Sequence, residues 1–453
     1  MKGTFSLTNE QKRERIFLLL YLLLFAAVAV SVALVQPAEN LGPEFENPPD
    51  EHARLRIPLF IARYGRLPVG TEAEMAGLYG GLYAMRPSLG LYVMALVMRL
   101  LIAMNADGFA LVFAARLVNV TFGLCMAYVV YLWSKRLFTA QKIRWLFCCM
   151  LMFLPQQLFL HTYVNNESMN LLSVAMMLYG ITLLYQERFT PRICILLAAA
   201  WIICLLTGFN AYGFVLCTGI LFLLRFAEAD GGARRFDSAS FVRYGLPVIC
   251  AVLLGAGWWF VRMAVLHEGD IFALEATRAY HEKIGALQIG DTTASLGEAL
   301  AQLSLRGGFA DLGRSFVAMY GSMTIPASDR YYQIYGIFLA AGVLCGCIAL
   351  VADRKKRRAG QLVFWSLVFA ACVITFVLWL RYALYTDYQM QARYIMPAAL
   401  PFFVLAAHGF AYAGERVGER KPFLYLPYLL TAFPVLMLLY YVYRVAFRYY
   451  LDF

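Results

Sequence analysis

Two acids stand side by side in Asn47-Pro48-Pro49-Asp50-Glu51-His52. The stretch follows the first long apolar run, Ile16 to Val35, and opens a polar segment rich in arginine. Its two prolines stop a helix from running through, so the acids fall at the start of whatever follows. A carboxylate at a membrane mouth can take a proton from a hydroxyl or amine as that group attacks. Asp50 and Glu51 are therefore the candidate catalytic residues. The competing reading makes Asp50 a helix cap, a common place for aspartate. His52 is the histidine best placed to assist. His161, His267, His281 and His408 have no metal-ligand spacing and read as hydrogen-bonded structural residues.

Cations come next. Arg86 precedes Pro87 at the edge of an apolar stretch, where it either snorkels to the interface or binds a phosphate through two N–H groups. Arg54, in the segment after the acids, is a second candidate. Arg262 and the pair Arg393-Tyr394 sit at the ends of later apolar runs. Arg116 lies inside one, where an unpaired cation costs roughly 2.5 kcal/mol or more, so it requires a carboxylate or phosphate partner. Asn165-Asn166-Glu167 forms a tight corner between two apolar runs. Asn166 and Glu167 there read either as a turn with an acid favoured by the following helix dipole, or as groups facing a cavity.

The elements that must hold these residues are helices. Of 453 residues, 62% are hydrophobic and 15% charged. That is the composition of an all-α polytopic membrane protein, because unbroken apolar runs of this number have no use in a water-soluble core. Hydropathy predicts about eleven spans, near 16–35, 109–134, 145–163, 168–186, 193–206, 208–225, 243–264, 333–352, 361–381, 394–413 and 423–444. The formal charge of +11 sits mostly in short loops and reads as topology signalling, not nucleic-acid binding. If 87–104 is re-entrant or interfacial, every short basic loop falls inside, including Arg354 to Arg358. The N-terminus is then cytoplasmic, and 36–86, 165–167, 265–332 and 382–393 lie outside.

The chain reads as one membrane domain, 1–453, with a first outer loop over 36–108 and a second over 265–332. Glu51 to Tyr64 mixes aliphatics with arginines, as a helix lying at the interface and bent by Pro58 would. Ser295 with Glu298 forms a capping box. Phe309, Leu312, Phe316 and Met319 recur at helical spacing. The ten cysteines lie in apolar segments with no paired CxxC, so neither disulfides nor a zinc site are expected. P-loop, GxSxG and HExxH motifs are absent.

Together these stretches resemble the polyprenyl-phosphate-sugar-dependent glycosyltransferases of the GT-C fold. They are most similar to a bacterial polytopic family known mainly as a domain of unknown function. Its pattern of Pro-Asp-Glu, a histidine and an aliphatic helix ending in glycine is met by Pro49-Asp50-Glu51-His52 through Gly65. Arg86-Pro87-Ser88-Leu89-Gly90-Leu91-Tyr92 and Gln391-Ala392-Arg393-Tyr394-Ile395-Met396-Pro397 resemble two further elements. Arg54 stands where that family often has histidine, Ser88 replaces its second proline and Ala392 its glycine.

The resemblance implies a GT-C-like bundle with short helices over an active site on the periplasmic or outer face of a bacterial inner membrane. It implies transfer of a sugar from a polyprenyl-phosphate donor to a glycan, lipid or protein acceptor. Asp50 matches the catalytic carboxylate and Arg86 the residue contacting the lipid phosphate. No cofactor is expected; a divalent metal is possible only if the donor is a diphosphate. The alternatives are a transporter or flippase of a lipid-linked glycan, or an inactive accessory subunit.

Overall fold

The computed structural model describes residues 8–37, 48–75, 79–227, 229–230, 233–284, 296–354, 359–386, 388–417 and 425–451. Eighteen helices make up most of this. In chain order they are α1 (Asn9–Val35), α2 (Glu51–Tyr64), α3 (Gly80–Ala84), α4 (Leu89–Ala103), α5 (Gly108–Leu137) and α6 (Gln141–Met152). Next come α7 (Pro155–Phe159), α8 (Glu167–Gln186), α9 (Pro191–Leu205), α10 (Tyr212–Leu224), α11 (Ser238–Leu266) and α12 (Leu274–Ile284). The last six are α13 (Leu296–Leu305), α14 (Gly308–Val317), α15 (Asp329–Ala352), α16 (Ala359–Tyr385), α17 (Met396–Val417) and α18 (Leu426–Leu451).

Eight of them, α1, α5, α8, α11, α15, α16, α17 and α18, are long and apolar enough to cross a membrane. The chain is a multi-pass membrane protein. Three of the eleven expected spans take other forms. The run 145–163 is broken between Met152 and Pro155, giving α6 and the single turn α7. Pro155 has no N–H to carry a helix forward and instead starts the next one. Helices α9 and α10 have 15 and 13 residues. At 1.5 Å per residue, α4, with 15 residues, also falls short of a hydrocarbon core about 30 Å thick.

One large apolar core joins α1, α5, α6 and α8 to α9, α10, α15, α17 and α18. Helices α15 and α17 pack through small residues. A Cβ on Gly409 would strike the backbone at Gly342 and Gly346, so glycine is what lets the two helices approach.

Smaller cores hold the short helices. Leu55, Ile57, Phe60 and Ala62 of α2 pack with Tyr83, Leu91, Met94 and Met98 and with Leu111, Val112 and Ala115 of α5. Thus α2 has the predicted bounds and its inner Pro58, but eight of its residues are buried, with α4 its main neighbour. Another core ties Leu303 and Leu312 to Trp379, Leu384, Met390 and Ala392. Phe309, Leu312 and Phe316 lie on α14 as expected. Met319 lies beyond its end, in a two-residue strand pairing Met319–Tyr320 with Ile325–Pro326. Ser295 and residues 355–358 are outside the described residues; all ten cysteines are free.

Candidate active site

Asp50 is the N-cap residue of α2 but caps nothing. Its backbone is left-handed (φ 60°) and its side chain makes no capping hydrogen bond. Aspartate tolerates that conformation better than most residues. The carboxylate turns instead to the loop before α17. There the Arg393 guanidinium donates from Nη2 to Asp50 Oδ2 at 2.5 Å, across 343 residues of sequence. Arg54 Nη2 stands 3.8 Å from the same oxygen. Burial pushes the Asp50 carboxyl up; Arg393 and Arg54, helped by the Tyr83 hydroxyl, outweigh it and hold the carboxyl at about 2.

Arg54 and Glu167 form a two-point ion pair, with Nη2 2.8 Å from Oε1 and Nη1 on Oε2. Glu167 opens α8, at the corner predicted from Asn165-Asn166-Glu167. The Arg54 guanidinium also lies over the Tyr83 ring, 4.9 Å from its centroid, and Arg86 stands 5.7 Å from the same ring. Arg393 lies over Tyr394 at 5.0 Å and donates to its hydroxyl at 3.0 Å. Its Nη1 reaches the Pro49 carbonyl, at 3.4 Å. Arg54 Nε, Arg393 Nε and the Tyr163 hydroxyl are buried without a hydrogen-bond partner. Asn166 donates to the Pro87 carbonyl at 3.0 Å, which fixes the Arg86-Pro87 turn beside the Glu167 corner.

Glu51 goes elsewhere. Its carboxylate binds Arg116 at two points, Nε to Oε1 at 2.9 Å and Nη2 to Oε2 at 2.5 Å, and Oε1 also accepts from Val164 N–H at 2.7 Å. Of the two partners expected for Arg116, a carboxylate or a phosphate, it has the carboxylate. As a catalytic acid, Glu51 is corrected: it is buried and both oxygens are engaged. Arg116 as a substrate ligand is corrected on the same ground. It is buried, and its remaining N–H groups go to the carbonyls of Ala33, Gln36 and Pro37. Those are orphan carbonyls at the end of α1, where a cation belongs.

Arg262 also lies apart from the Asp50 cluster. It donates to the Pro68 carbonyl at 2.7 Å and stacks on Trp259. His52 faces Arg56, with Nε2 2.9 Å from Nη2, and burial with the neighbouring Arg56 pushes its imidazole below the ordinary value. Of the sequence candidates, the fold joins Asp50, Arg54, Arg86, Glu167, Arg393 and Tyr394, with Asn166 behind them. Tyr83 is the residue that sequence reasoning missed. Nothing in its spacing distinguishes it among 29 tyrosines.

Arg86 differs from the other two arginines. Among the described residues, no carboxylate lies within ion-pair distance of it. Among the described residues, the groups around Tyr83 are thus three guanidinia and two carboxylates, one positive charge over. Such a cluster can hold an anion of low charge beside an ionised acid.

The architecture is a GT-C-like fold. It is similar to that of ArnT from Cupriavidus metallidurans bound to undecaprenyl phosphate, with a TM-score of 0.50 at 15% identity over 87% of this chain and 60% of that one. It is also similar to the oligosaccharyltransferase of Archaeoglobus fulgidus in complex with Zn and sulfate, with a TM-score of 0.52 at 14% identity over 92% of this chain and 52% of that one. The chain spans just over half the length of these two proteins. No family model matches the sequence, and no curated protein does.

Proposed function

We propose that this protein is a membrane glycosyltransferase that moves a sugar from a polyprenyl-phosphate donor to a cell-envelope acceptor. The observation that carries the reading is the cluster itself: Asp50, uncapped and held by Arg393, within one neighbourhood of Arg86. The likeness to a structure bound to undecaprenyl phosphate points the same way. In this reading the cluster end of the bundle faces the periplasm or exterior of a bacterial inner membrane, and α9, α10 and the α6–α7 segment complete the passage of the chain.

The charges favour a monophosphate donor. A lipid phosphodiester carries one negative charge and would neutralise the surplus of one cation. In the transfer step the acceptor oxygen or nitrogen attacks the anomeric carbon. The bond from that carbon to the phosphate oxygen breaks, and its electron pair stays on the phosphate. The acceptor proton passes to Asp50. Attack opposite the phosphate inverts the anomeric centre. Arg86, with Arg54 and Arg393, stabilises the charge that grows on the departing lipid phosphate. Tyr394 and Asn166 position these arginines, and Glu167 holds Arg54. Arg86 sits against Tyr83 rather than among apolar neighbours alone, which speaks against an inactive subunit.

The test is Asp50→Asn in the purified, full-length protein. Transfer from a polyprenyl-phosphate sugar is expected to fall about 100- to 10,000-fold, with binding of the donor retained. Wild-type rates in this variant remove Asp50 as the base.

A further inference from the structure

We propose that Arg393 is a positioning residue that masks Asp50 until donor binds, and that the donor phosphate draws an Arg393 N–H away and frees the carboxylate. The inference rests on the glycosyltransferase reading and adds an order to it: donor first, base second.

The geometry makes the exchange possible. Arg393 and Arg54 converge on one oxygen of Asp50, Oδ2, at 2.5 and 3.8 Å. A carboxylate held this way is a poor proton acceptor, since the proton must displace a guanidinium. Arg393 is also incompletely satisfied. Of its five N–H groups, Nη2 serves Asp50 and the Tyr394 hydroxyl, Nη1 makes one long contact, and Nε has no partner. Arg54 also has a free Nε, but its other nitrogens are committed to Glu167. Arg393 thus has donors to spare, and among the described residues Asp50 is the one carboxylate within ion-pair distance of it. A buried, unmet guanidinium N–H is costly and looks for an acceptor, and a phosphate oxygen is a strong one.

The groups facing Asp50 come from four elements. They are Arg54 on α2, Tyr83 on α3, Glu167 at the start of α8, and Arg393 with Tyr394 before α17. An arriving phosphate adds negative charge to this set and removes part of the Arg393 contact. Both changes raise the affinity of Asp50 for a proton. The exchange itself moves an ion pair only: Arg393 N–H leaves Asp50 Oδ2 and meets a phosphate oxygen, with no covalent bond made or broken.

Isotope-edited infrared spectra of the full-length protein in detergent would test this. The Asp50 carboxylate band is assigned by its loss in Asp50→Asn, and the probe is a long-chain polyprenyl monophosphate. The expected result is that the probe shifts the band and moves its protonation midpoint up by about 1 to 3 pH units. In Arg393→Gln, or in Arg393→Lys if the first variant does not fold, the midpoint starts high and the probe adds little. Binding of the probe to wild type with the Asp50 band unchanged overturns the masking role and leaves the glycosyltransferase reading standing. Failure of the probe to bind at all overturns both.

Discussion

Two adjacent acids have opposite fates. Asp50 keeps partial access and faces cations on a distant loop, whereas Glu51 is sealed between α1, α5 and the corner at Val164. Removing one partner of a buried, hydrogen-bonded ion pair leaves an uncompensated charge and costs about 3–5 kcal/mol. Glu51→Gln should therefore lower the thermal unfolding temperature sharply, while Asp50→Asn should change it much less. Equal unfolding temperatures for the two variants would contradict the division of roles. The sign of the pH effect at Asp50 follows from its lowered pKa. Its ion pair stabilises the fold fully above about pH 4 and loses that contribution as pH falls toward about 2. The Pro-Pro stretch marked both acids, and the membrane cost of Arg116 demanded a carboxylate or a phosphate. Which acid would answer was not legible, because the pairing spans 65 residues and depends on how α5 sits against α1.

At the level of elements, the site is assembled from ends and turns, each held by a small apolar core. Helix α3 shows how tightly. A Cβ on Gly81 would lie 2.7 Å from the Tyr280 ring of α12 and 2.9 Å from the Gly70 carbonyl. Helix α12 thus rests directly on the turn that carries Tyr83, the ring under Arg54 and Arg86. Gly81→Val should push the two apart, shift Tyr83 and weaken binding of a polyprenyl monophosphate at least several-fold. Direct binding measurements on the purified variant check this, and unchanged affinity would show that α12 does not hold Tyr83 in place. Helix α2 could be read from Glu51 to Gly65, because its aliphatics and its closing glycine are local signals. The break before Pro155 carried a signal too, the proline itself, but the apolar run around it hid the break. Tyr83 and α12 had no local mark at all. Their importance arises only where α3 meets them.

Across the whole molecule, Arg393 depends on helices far from it in sequence. It lies three residues before α17, so the seating of α17 on α15 sets where its guanidinium reaches. That seating relies on Gly409 facing Gly342 and Gly346, and on Gly346 lying under the Leu405 carbonyl. The small-residue spacing is visible in the sequence, but its consequence for Asp50 is not, because the link runs through helix packing. Gly409→Val should force the backbones apart. Overpacking of this kind costs about 1–3 kcal/mol, and more where the neighbour is backbone that cannot rotate away. The variant should unfold at a lower temperature, and the Arg393–Asp50 contact should loosen. The second effect separates this account from simple destabilisation. Spin labels on α15 and α17 should report a wider separation, and the Asp50 carboxylate should take up its proton at a higher pH than in the wild type. A variant that is less stable but keeps the wild-type Asp50 midpoint would mean that Arg393 is held by its own loop, through Ser315 and Met390, rather than by the helix behind it.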